Sequence, residues 1–250
     1  MSLNAGKILE INITLDSKET ILENIKKYLN ESSKITRKSF VIVTPNSEQI
    51  VLACNNPLLK KILNQADVSL PDGFPIARTL HISRIPGVEF MEDLVELASK
   101  QSYRIGLIGG QDGLAVKAFE CLQKKYHGLQ GWAIKPESYT FPRIVKKIKE
   151  SGVKIVFVGL GAPKQEFFIE KILKQCPVVF MSVGGSFDII AGKIQRAPFL
   201  IRSIGFEWAW RLFQEPWRWR RQLALLTFVG LVIKEKLASQ GSPPAGGLRS

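Results

Sequence analysis

Cysteine and histidine are scarce in this 250-residue chain. The three cysteines, Cys54, Cys121 and Cys176, form no Cys-x-x-Cys pair. That excludes a disulfide framework and a cysteine zinc site. The two histidines, His81 and His127, are far apart in sequence, which argues against a histidine-rich metal site or a histidine-based nucleophile relay. No Asp-x-Asp pair is present to hold a divalent metal on a nucleotide diphosphate. There is no run of about 18 apolar residues, so no helix is expected to span a bilayer. The longest apolar run, Leu223–Ile233, is broken by Thr227 and Gly230 and suits a core or a membrane surface. The opening MSLNAGKILEINITLD has no apolar stretch before its first acid, so no secretory signal is expected. The dinucleotide fingerprint is also missing. Gly159-Leu160-Gly161 runs into Ala162-Pro163-Lys164, without the third small residue the pattern needs, and no Walker lysine is correctly spaced.

The composition is that of a globular protein, with 45% hydrophobic and 23% charged residues. The length suits one large domain, or one domain with an appendage. The net charge is +13, which favours an anionic partner: nucleic acid, a phosphorylated substrate or anionic lipid. Residues 193–250 hold 10 Lys+Arg against 3 Asp+Glu, a net of +7. The other 192 residues hold 25 against 19, a net of +6.

Apolar, β-branched runs recur, each followed by a turn and a helical pattern. They are Phe40–Val43, Arg104–Ile108 before a helix over Gly113–Tyr126, Lys154–Val158, and Pro177–Val183 before Gly184-Gly185. Strands alternating with helices indicate βαβ units and a mostly parallel sheet. Lys7–Ile13 reads as one further strand ahead of a helix over Lys18–Leu29, and Asp67–Leu70 as a short strand. From about residue 195 the pattern is helical, with a last helix from Pro216 to about Leu237. The division expected is a core over 1–195, a helical appendage over 196–238 and a disordered Gly/Pro/Ser-rich tail over 239–250.

In such sheets ligands bind beyond the carboxyl ends of the strands. Thr44-Pro45-Asn46, Pro71-Asp72-Gly73, Gly109-Gly110-Gln111, Gly159 to Gln165 and Gly184-Gly185-Ser186 all fall there. Each alone is readily a strand end or helix cap. Together, with an acid and two amides, they point to a ligand. Asp72 can take a proton from a substrate hydroxyl, although a turn aspartate looks the same in sequence. Further on, Arg211, Arg218, Arg220 and Arg221 interleave with Trp208, Trp210, Trp217 and Trp219. Guanidinium groups suit phosphate oxygens, and tryptophan with basic residues suits a membrane surface. Core or subunit packing and nucleic-acid binding are the alternatives.

Read in order, the motifs resemble the WecG/TagA/CpsF glycosyltransferase family. They begin with Thr44-Pro45-Asn46 and Glu48-Gln49, Asn64-Gln65-Ala66-Asp67, Leu70-Pro71-Asp72-Gly73 and Arg84-x-Pro86-Gly87. Leu107-x-Gly109-Gly110, the run Gly159 to Glu166, Gly184-Gly185-x-x-Asp188, Ala191-Gly192 and Arg196-Ala197-Pro198 follow. The last runs from Gly205-x-Glu207-Trp208 through Arg211-Leu212 and Glu215-Pro216 to Arg218 and Arg221. The resemblance covers roughly residues 8–237.

It implies a Rossmann-like α/β core of the GT-E type, a mostly parallel sheet flanked by helices, with a helical C-terminal membrane-associating appendage. It implies an inverting, metal-independent and cofactor-free hexosyltransferase. The donor is an N-acetylmannosamine-type sugar on UDP, and the acceptor N-acetylglucosamine on polyprenyl diphosphate. The enzyme would be peripheral on the cytoplasmic face of the cell membrane, serving a cell-surface polysaccharide or teichoic-acid-like polymer. By the same resemblance Asp72 is the general base, and Thr44 is a second catalytic residue lining its pocket. Asn46, Gly109, Gly110, Gly161, Gln165 and Gly185 bind the donor. Arg84, Arg211, Arg218 and Arg221 meet the acceptor or diphosphate as the appendage closes. Partners are thus the donor, the lipid-linked acceptor and the membrane surface, not nucleic acid. The tryptophan-rich appendage leaves a homo-oligomer open.

Two places depart from the family pattern. Glu89 stands where aspartate is usual after the Pro-Gly pair, and Gly131–Phe141 is shortened and lacks a Gly-Tyr-Phe element. A non-catalytic sugar-nucleotide or polyanion-binding module is the alternative of another class. It would keep the glycine loops without needing Asp72.

Overall fold

The computed structural model describes residues 3–31, 38–135, 140–216 and 219–240, except the side chains of 220–222, 239 and 240. The chain opens with an antiparallel hairpin, β1 (Ala5–Ile8) and β2 (Ile11–Thr14), where one longer strand was expected. Its turn residues Leu9 and Glu10 have φ of 49° and 64°. Two successive positive φ values make the tight turn that matches strand twist, normally built from Asn or Gly. Without those residues the turn has no local signature, and distant groups hold it. The Asn64 amide donates to the Glu10 carbonyl at 2.8 Å, and Lys60 pairs with the Glu10 carboxylate.

Helix α1 (Lys18–Asn30) starts at Ser17, whose hydroxyl accepts from the Thr20 N–H. The repeating units follow: β3 (Phe40–Val43), α2 (Ser47–Cys54), α3 (Pro57–Gln65), β4 (Val68–Ser69), α4 (Phe74–Leu80) and α5 (Gly87–Lys100). Next come β5 (Arg104–Gly109), α6 (Leu114–Lys125), β6 (Gly131–Ile134) and α7 (Phe141–Ser151). The core ends with β7 (Val153–Gly159), α8 (Lys164–Ile172), β8 (Val179–Ser182) and α9 (Ser186–Ile190). Helices α10 (Phe199–Ser203), α11 (Glu207–Gln214) and α12 (Trp219–Gln240) finish the chain. Strand β6 lies in the segment Gly131–Phe141, which reads from sequence as shortened and carries no strand expectation.

The six strands β3 to β8 form one parallel sheet in the order β4-β3-β8-β7-β5-β6. A parallel sheet is covered on both faces, so its inner strands are near-continuous apolar runs. Alternate residues of those runs feed two cores. On one face Ile42, Leu107, Phe157 and Met181 pack under α1, α5, α6 and α9, with Ile25, Phe90, Phe119 and Phe187. On the other, Val43, Val158 and Phe180 pack under α2, α3, α7 and α8, with Ile50, Leu63, Ile148 and Phe168.

The hairpin and α12 belong to the second face. Phe228 and Val232 of α12 are buried in the same cluster as Ile50 and Ala53 of α2. The Glu235 carboxylate accepts the Leu9 N–H at 3.1 and 3.2 Å, tying the end of α12 to the hairpin turn. No helix among the described residues is long and apolar enough to cross a membrane.

Candidate active site

A cleft of about 640 Å³ opens along the carboxyl edge of the sheet. Loops after β3, β4, β5, β7 and β8 contribute Thr44, Asn46, Asp72, Gly110, Gly161 and Gly185 to its walls, and α11 contributes Trp208 and Arg211. Its place is dictated by topology: every strand runs the same way, so all their exits meet at one edge.

Asp72 follows the two-residue strand β4, and its side chain keeps 29% of its surface exposed. Oδ1 accepts the Gly87 N–H at 2.8 Å. Oδ2 makes no hydrogen bond among the described residues, so one carboxylate oxygen is held and the other is open. Burial pushes this carboxyl above the usual aspartate range. The Arg84 guanidinium and the Gly87 N–H pull it down, Glu207 pushes it up, and Arg211 pulls it down. Arg84 donates from Nε to the Asp72 backbone carbonyl and from Nη2 to Glu207 at 2.7 Å. Its Nη2 lies 3.8 Å from Asp72 Oδ1.

Across the cleft, Arg211 is braced by Glu215 at 3.0 Å and reaches over Gly185. A β-carbon on Gly185 would stand 2.4 Å from Arg211 Nη2, so any side chain there would push the tip of the guanidinium aside. Helix α11 is pinned as a roof by the Arg84–Glu207 pair. The segment before it is pinned by Glu89, whose Oε1 accepts from Arg196 Nη2 and from Arg202 Nη1, the latter at 2.7 Å. Trp210 Nε1 donates to the Gln195 carbonyl at 3.0 Å.

The sequence profile described as the glycosyl transferase WecG/TagA/CpsF family matches residues 6–242. The chain belongs to that family. It is also similar to a Bacillus spizizenii protein named N-acetylglucosaminyldiphosphoundecaprenol N-acetyl-beta-D-mannosaminyltransferase. The two are 31% identical over 236 residues, which cover 90% of this chain and 91% of the relative. Membership of the WecG/TagA/CpsF family makes the chain a sugar-transferring enzyme, a hexosyltransferase.

The fold brings most residues singled out by the family motifs to one cleft, in different roles. Asp72, Arg84, Asn46, Gly110, Gly161, Gly185 and Arg211 line it. Asn46 caps α2 with its Oδ1, which accepts the Gln49 N–H at 3.0 Å, and its amide nitrogen makes no hydrogen bond among the described residues. Thr44 is buried and donates its hydroxyl to the Ser182 carbonyl at 3.1 Å, bridging β3 to β8. Gly109 is buried one residue below the wall. Its φ is +118°, and a β-carbon there would lie 2.4 Å from the Gly159 carbonyl oxygen. Gln165 touches the cleft but is buried, its amide committed to the Gly184 N–H and Glu166. Arg218 and the Arg221 side chain lie outside the described residues, as does most of the 239–250 segment.

Sequence reasoning missed Glu207, Glu166 and the Gly87 N–H as parts of the site. All three stand within quoted motifs, but their partners are distant in sequence. Glu89 also gains a concrete role: at this departure from the family pattern the carboxylate binds the two arginines that anchor the roof.

Proposed function

We propose that the chain transfers an N-acetylmannosamine-type sugar from UDP to N-acetylglucosamine carried on polyprenyl diphosphate, with inversion and without a metal ion. The relative's printed activity supports the acceptor and sugar class. The observation that carries the mechanism is Asp72, clamped through Oδ1, with Oδ2 free of hydrogen bonds among the described residues, lining the same cleft as Arg211.

Inversion needs one displacement. The acceptor hydroxyl oxygen attacks the anomeric carbon as its proton passes to Asp72 Oδ2. The bond from that carbon to the UDP oxygen breaks, and UDP leaves with the electron pair. A raised pKa suits this base, since an acid near its working pH captures the proton more completely. The diphosphate gathers charge as it departs. Arg211, prepositioned over Gly185, offers a planar fork to meet it. Arg218 and Arg221 are proposed to join it on the strength of the family motif. Asn46, Gly110, Gly161 and Gly185 receive the donor, Gln165 acts through the Gly184 backbone, and Thr44 fixes the wall between β3 and β8.

The apolar residues Phe199, Leu200, Ile204 and Phe213 of the roof are exposed. They support peripheral seating on the cytoplasmic membrane face, where a lipid-linked acceptor is found. The deciding experiment is Asp72→Asn, assayed with UDP-N-acetylmannosamine and a short-chain polyprenyl-diphosphate acceptor. Turnover is expected to fall about 10²–10⁴-fold while UDP binding stays near the parent value. Unchanged turnover removes Asp72 from its role. Retention of the donor's anomeric configuration, read by NMR of the product, removes the single-displacement mechanism.

A further inference from the structure

Glu166 lies in the first turn of α8, with 1% of its surface exposed, and its side chain turns beneath the cleft without entering it. Its Oε1 accepts two amide N–H groups, from Gln49 Nε2 at 3.0 Å and from Gln165 Nε2 at 2.8 Å. Both glutamines are occupied at their other ends. Gln49 Oε1 accepts the Asn46 N–H at 3.1 Å, closing the capping box of α2. Gln165 Oε1 accepts the Gly184 N–H at 3.0 Å. An oxygen that only accepts leaves each amide one orientation, nitrogen toward Glu166 and oxygen toward a backbone N–H. Both far ends agree with that choice. One carboxyl oxygen therefore ties together the loops leaving β3, β7 and β8, three walls of the cleft.

Stability alone gives no reason for this arrangement. Burying a carboxyl is costly, and an apolar side chain of similar volume is often as stable or more so. Glu166 Oε2 and Ser182 Oγ are both buried without a well-aligned hydrogen-bond partner among the described residues. Burial pushes the Glu166 carboxyl above its usual range, with the Gln165 amide and the nearby Ser182 hydroxyl among the groups that only partly offset it. A group kept at that cost fits a site that needs fixed geometry.

We propose that Glu166 is a positioning residue for the donor half of the site, setting the amides of Gln49 and Gln165 and through them the Asn46 cap and the Gly184 backbone. The inference rests on the UDP-donor reading above.

The test uses the full chain, with UDP binding measured by calorimetry and initial rates measured with donor and acceptor varied separately. Glu166→Ala is expected to weaken UDP binding and raise the donor KM about tenfold, the scale of losing oriented hydrogen bonds. The acceptor KM should move by less than about twofold. Glu166→Gln keeps an acceptor oxygen and should return both values to within roughly threefold. In a Gln49→Ala/Gln165→Ala background, adding Glu166→Ala should cost less than about twofold, because the groups it acts through are gone. If Glu166→Ala does not fold, Glu166→Leu takes its place in both backgrounds.

An equal loss in that background overturns the inference, as do parallel rises in donor and acceptor KM, or no recovery in Glu166→Gln. Wild-type binding of UDP with no change in the folded Ala or Leu variant defeats this inference alone. A wild-type chain that does not bind UDP defeats the donor reading and this inference with it.

Discussion

At Asp72 opposing influences act on one carboxyl. Burial raises its pKa above the ordinary 3.8, and Arg84 is the first of the groups that lower it. A general base works only when ionised, so activity is lost as pH falls through the raised value. The acid limb of log(kcat/KM) against pH should therefore lie above the ordinary aspartate range. Arg84→Met should move it further up, since the leading charge that favours ionisation is gone. A pH–rate profile checks both, and a limb at or below the ordinary value in the parent would contradict the placement of Asp72. The residue itself was legible in sequence as an acid just past a strand. Its surroundings were not. Glu207 reaches Arg84 across 123 residues and Glu166 reaches Gln49 across 117, and separations of that size leave no local pattern.

Among the elements, α10 to α12 carry two kinds of apolar side chain. Phe228 is buried against α2, whereas Leu200 and Phe213 are exposed. Phe228→Ala should cost about 3–5 kcal/mol of stability, the usual loss for a buried phenylalanine, measured by denaturant unfolding. Leu200→Ser with Phe213→Ser should leave stability nearly unchanged. Together they should weaken association with anionic vesicles by about tenfold or more, in line with about 1.5–3 kcal/mol for each large apolar side chain fully buried. Equal vesicle binding by the double variant in a sedimentation assay would show that the roof does not seat on lipid. The apolar inner strands β3, β5, β7 and β8 could be read from sequence because both faces of each are covered. Strand β6 could not, because it is an edge strand, Gly-Trp-Ala-Ile, mostly half-buried and without a continuous apolar run. The hairpin was hidden for the opposite reason: its apolar residues run on through a turn that lacks the usual turn residues.

Taken as a whole molecule, the chain builds its sheet out of sequence order. Strand β8 is the last of the six in the chain, yet it sits between β3 and β7. Until residues 179–182 leave the ribosome, β4-β3 and β7-β5-β6 are two partial ribbons, each with an unpaired margin where β8 belongs. The keystone strand also carries Gly184 and Gly185 on its exit, so the pocket floor arrives with it. A nascent chain halted at residue 178 should therefore be sticky and unable to retain nucleotide, and light scattering with UDP titration would reveal both. Closure of the sheet and completion of the pocket floor are thus a single late event in biosynthesis, with the Arg211 roof following it, which makes the interval before it the window in which a chaperone has most to guard.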